Sequence, residues 1–119
     1  MSTHSPVLRV GPWLICSGVI GRRSDGEIPT DPEQQYRVAF DTLTDRLQAA
    51  DASWADVIDM ITFHVGYERL DHREIFRRVL AEFVRAPYPA WTAIGVAALS
   101  TPETLVEIKV VAYRGGRKE

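Results

Sequence analysis

Leu105-Val106-Glu107-Ile108-Lys109-Val110-Val111-Ala112-Tyr113 is the stretch that decides the fold. Val106, Ile108, Val110 and Ala112 form an unbroken apolar row at the period of a strand, so one face must lie against a core. The opposite row, Leu105, Glu107, Lys109, Val111 and Tyr113, is mixed. Immediately upstream, Ser100-Thr101-Pro102-Glu103 reads as a turn, and Trp91 to Leu99 as the preceding strand. Both rows of that strand are apolar or small.

Two helices supply the layer that such a sheet needs. Asp31-Pro32-Glu33-Gln34 is a helix start: a capping aspartate, proline at the first turn and glutamine three residues after the cap. Tyr36, Phe40, Leu43, Leu47 and Ala50 then follow as one helical face, ending near Asp51. A second stripe, Ile75, Phe76, Val79, Leu80, Phe83 and Val84, predicts a helix from about Asp71 to Val84, stopped by Pro87-Tyr88-Pro89. Between the helices, Ser53 to Asp56 reads as a turn or short helical cap, and Val57 to Val65 as a strand. That strand has Val57, Ile61, Phe63 and Val65 on one row, interrupted by Asp59, and Ile58, Met60, Thr62 and His64 on the other. Neither row is strongly polar, which predicts a central strand covered on both sides. At the beginning of the chain, Val7 to Val10 and Trp13 to Ile20 read as a hairpin turning at Gly11-Pro12, followed by a surface loop from Gly21 to Thr30.

The order is β-β-α-β-α-β-β. It predicts an α+β two-layer sandwich with both helices on one face of the sheet. Residues 1–119 read as a single domain, with 115–119 as a frayed polar tail. The second sheet face is too apolar to face water, so a homo-oligomer is expected, a second copy covering it.

Fourteen basic against sixteen acidic residues give a net charge of −2. This argues against nucleic-acid binding, which usually draws on a basic excess. The beginning of the chain shows no basic and apolar leader, and no apolar run approaches the ~18 residues of a membrane span. A cytoplasmic location without membrane attachment is the expectation. The single cysteine, Cys16, excludes an internal disulfide and reads as a buried, inert thiol.

No phosphate loop, dinucleotide fingerprint, nucleophile elbow or zinc-protease helix is present. His4, His64 and His72 show no metal-ligand spacing, so neither metal nor cofactor is called for. Glu107 is the most informative residue, a carboxylate within an apolar strand. It reads either as a general acid/base or water-orienting group in a cleft, or as a structural partner of Lys109. Arg22 and Arg23 read as contacts to an anionic ligand or as a solvated loop pair. Trp91 reads as a pocket wall or as core.

Several motifs recur in one order: Ser17-Gly18 after an apolar strand, Gln34-Gln35 opening a helix, Asp56-Val57 opening a strand, Pro89-Ala90-x-Thr92, and Val106-Glu107-Ile108. With this order the chain, from about Val10 to Arg114, resembles the Rid proteins, the YjgF family of reactive intermediate imine/enamine deaminases. The resemblance implies a chorismate-mutase-like fold. It implies a homotrimer with small-molecule clefts between subunits. In deaminating members an arginine follows the Pro-Ala pair and clamps the substrate carboxylate; here that position is Trp91. An indole cannot make this bidentate contact, and losing such a contact costs on the order of 2–5 kcal/mol. This argues against the standard 2-aminoacrylate-type activity.

Arg77 stands where those members tend to carry asparagine, and Val19 where glutamine often follows Ser-Gly. Glu107 is retained as the implied water-orienting catalytic residue, and Ser17 and Gly18 are retained beside it. The stretch from Ala86 to Val96, with Tyr88, Trp91, Thr92 and Ala93, is similar to YjgH-like members, as is Thr62-Phe63-His64. The resemblance thus implies a ligand-binding set of Ser17, Gly18, Val19, His64, Arg77, Tyr88, Trp91, Thr92 and Ala93 around Glu107. It implies a hydrolase or deaminase of a small imine, enamine or related metabolite. The alternatives are a non-catalytic metabolite-binding trimer and, with less support, an endoribonuclease.

Overall fold

The computed structural model describes residues 3–116. The chain runs β1 (Val7–Val10), β2 (Trp13–Cys16), β3 (Val19–Ile20), α1 (Pro32–Ala49), a 3₁₀ turn (Trp54–Asp56), β4 (Val57–Val65), α2 (Leu70–Phe83), β5 (Ala90–Val96) and β6 (Val106–Tyr113). The expected frayed tail lies in part outside the described residues. The six strands form one mixed sheet in the order β1-β2-β6-β4-β5, with β3 also pairing with β6. Only β4 and β5 run parallel, joined by α2 as a crossover. The result is the expected two-layer α+β architecture.

Each helix forms where its sequence specifies it. The Asp31 carboxylate accepts from the Gln34 backbone N–H at 3.0 Å, and Pro32 occupies the first turn without sacrificing a needed donor. The stripe of α1 buries Tyr36, Ala39, Phe40, Leu43 and Leu47 against Val106, Ile108, Val110 and Ala112 of β6 and neighbouring sheet residues. α2 adds Phe76 and Val79, and the rings of Phe40, Phe76 and Phe83 pack together at 5.1–5.5 Å.

Three details depart from the sequence reading. The predicted strand from Trp13 to Ile20 is broken at Ser17-Gly18 into β2 and β3. Ser17 there turns outward, its backbone N–H bonded to Pro6 O and its hydroxyl donating to Ser5 O at 2.7 Å. The strand beginning at Trp91 ends at Val96 rather than Leu99. The rows of β4 also differ. A bulge shifts the register between Val57 and Asp59, and the extra residue moves Val57 to the helix side with Met60, Thr62 and His64. Period-two counting cannot see a bulge and so puts Val57 with Ile61, Phe63 and Val65.

The far face of the sheet carries Leu8 and Val10 of β1, Trp13 and Ile15 of β2, Ile61, Phe63 and Val65 of β4 and Ile94 of β5, as the strand registers require. Leu8 and Val10 are about half exposed, at 51% and 52%. One broad apolar face is therefore left uncovered by this chain's own helices.

Candidate functional site

The break between β2 and β3 shapes the first part of the site. Gly18 sits at the break, and β3 pairs back onto β6 with Ile20 opposite Glu107. A β-carbon on Gly18 would lie 2.5 Å from Glu107 Oε2, so only glycine lets the carboxylate rest against the backbone here. Glu107 is half-buried. Among the described residues its carboxylate forms no ion pair. Lys109, the expected partner, instead donates to Cys16 O at 3.1 Å. The structural pairing of Glu107 with Lys109 is thereby corrected.

The Glu107 side chain borders a hollow of about 330 Å³ at the sheet edge, together with Gly18, Val19, Ile20, Arg22, Arg23, Thr42, Arg46 and Ser100. Three arginines and one glutamate thus contribute to the lining of this hollow. Arg46 and Thr42 escaped the sequence reading. Their signal was their four-residue spacing on α1, one position off the buried stripe at Leu43 and Leu47.

The second part lies on the helix side of the sheet, around Trp91. The strand registers put Glu107 opposite Phe63 on the far face, and Trp91 opposite Met60 on the helix face. Within one chain the two residues therefore point away from each other. Trp91 Nε1 donates to Thr62 Oγ1 at 2.9 Å, and Thr62 Oγ1 lies 2.7 Å from His64 Nε2. An indole N–H can only donate, so Thr62 accepts from it and has its own proton available for His64. Phe76 packs edge-on to His64 at 4.7 Å and tilted against Trp91 at 6.1 Å. Burial, followed by the nearby Arg73 guanidinium, holds the His64 pKa down at about 4, so the imidazole is neutral at ordinary pH. His64 is 3% exposed and belongs to the packing behind Trp91 rather than to an open cleft.

Arg77 lies over Trp91 with its Cζ 5.7 Å from the ring centroid, within cation–π range. Both border a hollow of about 460 Å³ with Met60, Leu80, Arg85 and the largely exposed Tyr88. Ala93 stands opposite Thr62 on the same face, and Thr92 opposite Ile61 on the far face. Apart from Thr92, the expected residues therefore divide into two groups. Gly18, Val19 and Glu107 line the edge hollow, with Ser17 beside it; Arg77, Tyr88 and Trp91 line the second, backed by His64 and Ala93. A third hollow, between Trp54, Phe83 and Pro87, contains none of them.

Cys16 is fully buried and its thiol pKa is raised, chiefly by that burial, which suits packing rather than nucleophilic attack. Among the described residues no group of three or more His, Cys, Asp or Glu side chains could hold a metal ion. No helix among them is long and apolar enough to cross a membrane.

This sheet and its two helices have the architecture of one family. The family model described as Endoribonuclease L-PSP matches residues 1–114, and the chain is a member of that family, the YjgF/Rid proteins. Within it the chain is YjgH-like. It is 39% identical over 109 residues to the RutC family protein YjgH of Escherichia coli (strain K12), covering 92% of this chain and 81% of the relative. A solved structure of protein YjgH superimposes with a TM-score of 0.85 at 38% identity, over 96% of this chain and 85% of the other. The structure of E. coli TdcF with bound serine has a TM-score of 0.83 at 26% identity, over 97% and 91% of the two chains.

Proposed function

We propose that this protein hydrolyses a small imine, enamine or related metabolite, with Glu107 positioning and deprotonating the attacking water. The observation that carries this reading is the half-buried Glu107 carboxylate, unpaired with any described cation and seated against Gly18 at the mouth of a small hollow. Water held by such a carboxylate adds its oxygen to the imine carbon while its proton passes to Glu107. The C=N electron pair moves to nitrogen, which takes up a proton from solvent. In the collapse of the resulting carbinolamine the Glu107 proton passes to the departing nitrogen and the hydroxyl proton is lost to solvent, releasing ammonia and a carbonyl product. One water is consumed for each ammonia released.

The active assembly is a homotrimer. Its support is the uncovered apolar face, and the opposed directions of Glu107 and Trp91. A cleft that uses both residues takes Trp91 from a neighbouring protomer. In that cleft Trp91, Tyr88 and Arg77 form a wall, and Thr92, Ala93, Val19 and Ser17 lie along its approaches. The protein works in the cytoplasm, and its partners are other copies of itself and its small-molecule ligand.

A second reading, a metabolite-binding trimer without turnover, is favoured by one observation: neutral Trp91 stands at the clamp position. RNA cleavage has less support, because the net charge is −2. Small imines generated in solution, with ammonia release followed over time, separate these readings. Faster release with the protein present supports hydrolysis. A metabolite that raises the melting temperature but is never converted supports binding alone.

A further inference from the structure

Trp91 walls the cleft of the proposed reaction, and its indole is held from behind. We infer that Thr62 is the positioning residue for Trp91, with His64 completing the hold: the Thr62 hydroxyl accepts from the indole N–H and donates to an unprotonated His64 Nε2, which fixes the tilt of the ring and leaves only ring carbons for a ligand. The importance of this hold for turnover rests on the hydrolase reading, but the hold itself stands on geometry within one chain.

The parallel pairing of β4 with β5 brings the partners together. Trp91 stands opposite Met60 and Ala93 opposite Thr62, so Trp91 and Thr62 are diagonal neighbours on the helix face, within reach of a long aromatic side chain. Ala93 brings only a methyl group to that face, which lets the indole lean along the strands to Thr62. Nε1 lies 2.9 Å from Thr62 Oγ1, and Oγ1 lies 2.7 Å from His64 Nε2. Thr62 is fully buried and His64 almost so, so bulk water does not replace either partner.

The donor and acceptor inventory then assigns the protons. The indole nitrogen only donates, so Oγ1 accepts from it, and the threonine proton is directed to its other partner, His64 Nε2. That nitrogen must carry a lone pair, which puts the imidazole proton on Nδ1. The reverse bond, from a protonated Nε2 to Oγ1, strands the threonine proton in a buried setting. Burial and the Arg73 guanidinium on α2 both disfavour an imidazolium here. The remaining neighbours carry no charge to offset them: Tyr67 and Phe76, each with its ring centroid at 4.7 Å, and Gly95 of β5 and Val106 of β6 opposite His64 in register.

Two neighbours on α2 flank the indole less directionally. Phe76 is tilted against it at 6.1 Å, and the Arg77 Cζ lies 5.7 Å from its centroid. Such contacts tolerate rotation of the ring, whereas the hydrogen bond to Thr62 does not. Nε1 is also the indole's one polar atom. Its commitment to Thr62 leaves the Trp91 wall apolar toward the hollow it shares with Leu80, Tyr88 and Pro89.

The test follows the Trp91 indole N–H by proton–nitrogen NMR in the full-length protein, the signal being assigned by its loss in Trp91→Phe. Thr62→Val removes the hydroxyl at nearly constant shape, and Thr62→Ser restores it. The Trp91 N–H is expected to exchange with solvent roughly tenfold faster in Thr62→Val than in the wild type, and slow exchange to return in Thr62→Ser. The wild-type His64 nitrogen signals are expected to place the lone pair on Nε2. In imine hydrolysis, Thr62→Val should raise KM about fivefold and leave kcat within about twofold, with KM recovering in Thr62→Ser. A Trp91 signal indifferent to Thr62→Val while the melting temperature falls makes Thr62 merely structural and overturns the inference, as does a protonated Nε2 at neutral pH. Should Thr62→Val fail to fold, the wild-type His64 signals and Thr62→Ser still decide. A hold that depends on Thr62 in a protein that hydrolyses no imine removes the proposed reaction and leaves the positioning. Hydrolysis whose KM ignores the loss of the hold leaves the reaction and overturns the role given to Thr62 in it.

Discussion

Gly18 and Glu107 are fitted to each other: the position a β-carbon would take on Gly18 lies 2.5 Å from Glu107 Oε2. Any side chain there pushes the carboxylate away from the backbone. Gly18→Ala should therefore lower imine hydrolysis at least tenfold and shift the melting temperature only slightly, because the clash is with the end of a movable side chain. A Gly18→Ala protein as active as wild type would separate the carboxylate's position from catalysis.

Gln35 acts at a distance from this site. It is fully buried, its amide N–H donates to Pro29 O at 2.9 Å and Glu103 O at 3.0 Å, and its carbonyl accepts from the Leu105 N–H at 2.6 Å. One side chain thus ties α1 to the long loop and to the entry of β6, the strand that bears Glu107. Gln35→Leu leaves three backbone groups without partners and is expected to cost about 3 kcal/mol or more, read from the urea midpoint. A loss within experimental error would mean that these groups find other partners.

His64 makes stability depend on pH. Its pKa is about 4 in the folded chain against an ordinary value of 6.5, so between these values the unfolded chain holds more protons. Folding stability from this residue is full above about pH 6.5 and is lost as pH falls toward 4, by up to about 3 kcal/mol. Urea unfolding at about pH 7.5 and about pH 4.5 should show this loss in the wild type and a smaller one in His64→Asn. Equal losses in both proteins would assign the acid sensitivity to other groups.

The uncovered sheet face makes its own prediction. Ile94 is 39% exposed on that face, opposite Phe63. A single chain tolerates a charge there, whereas an apolar interface does not. Ile94→Asp should reduce the mass seen by sedimentation from that of a trimer to that of a monomer with the fold retained by circular dichroism. A wild-type protein that is already monomeric at micromolar concentration would remove the assembly.

Much of this architecture could be read from residue order because hydrophobic period and helix caps are local. The alternation Val106-Ile108-Val110-Ala112 and the Asp31-Pro32 start are examples, and the apolar or small rows of the strand beginning at Trp91, with the weakly polar rows of β4, signalled a second face too apolar for water. Two features escaped because they are set by partners distant in sequence. The bulge between Val57 and Asp59 depends on pairing with β6. The separation of Glu107 from Trp91 depends on strand register, which a residue list does not contain. Thr62 was legible only as part of a familiar triplet, and its bond to the Trp91 indole required the sheet to bring β4 and β5 together.

The most direct measurement is the rate of ammonia release from a small imine generated in the cuvette, compared for the wild type and Glu107→Gln at equal protein concentration. The substitution keeps size and hydrogen-bonding capacity but removes the proton acceptor. Expected is acceleration by the wild type and a loss of at least a hundredfold in Glu107→Gln, with oligomeric mass and melting temperature unchanged. Equal acceleration by the two proteins, or none by the wild type, contradicts the role assigned to Glu107.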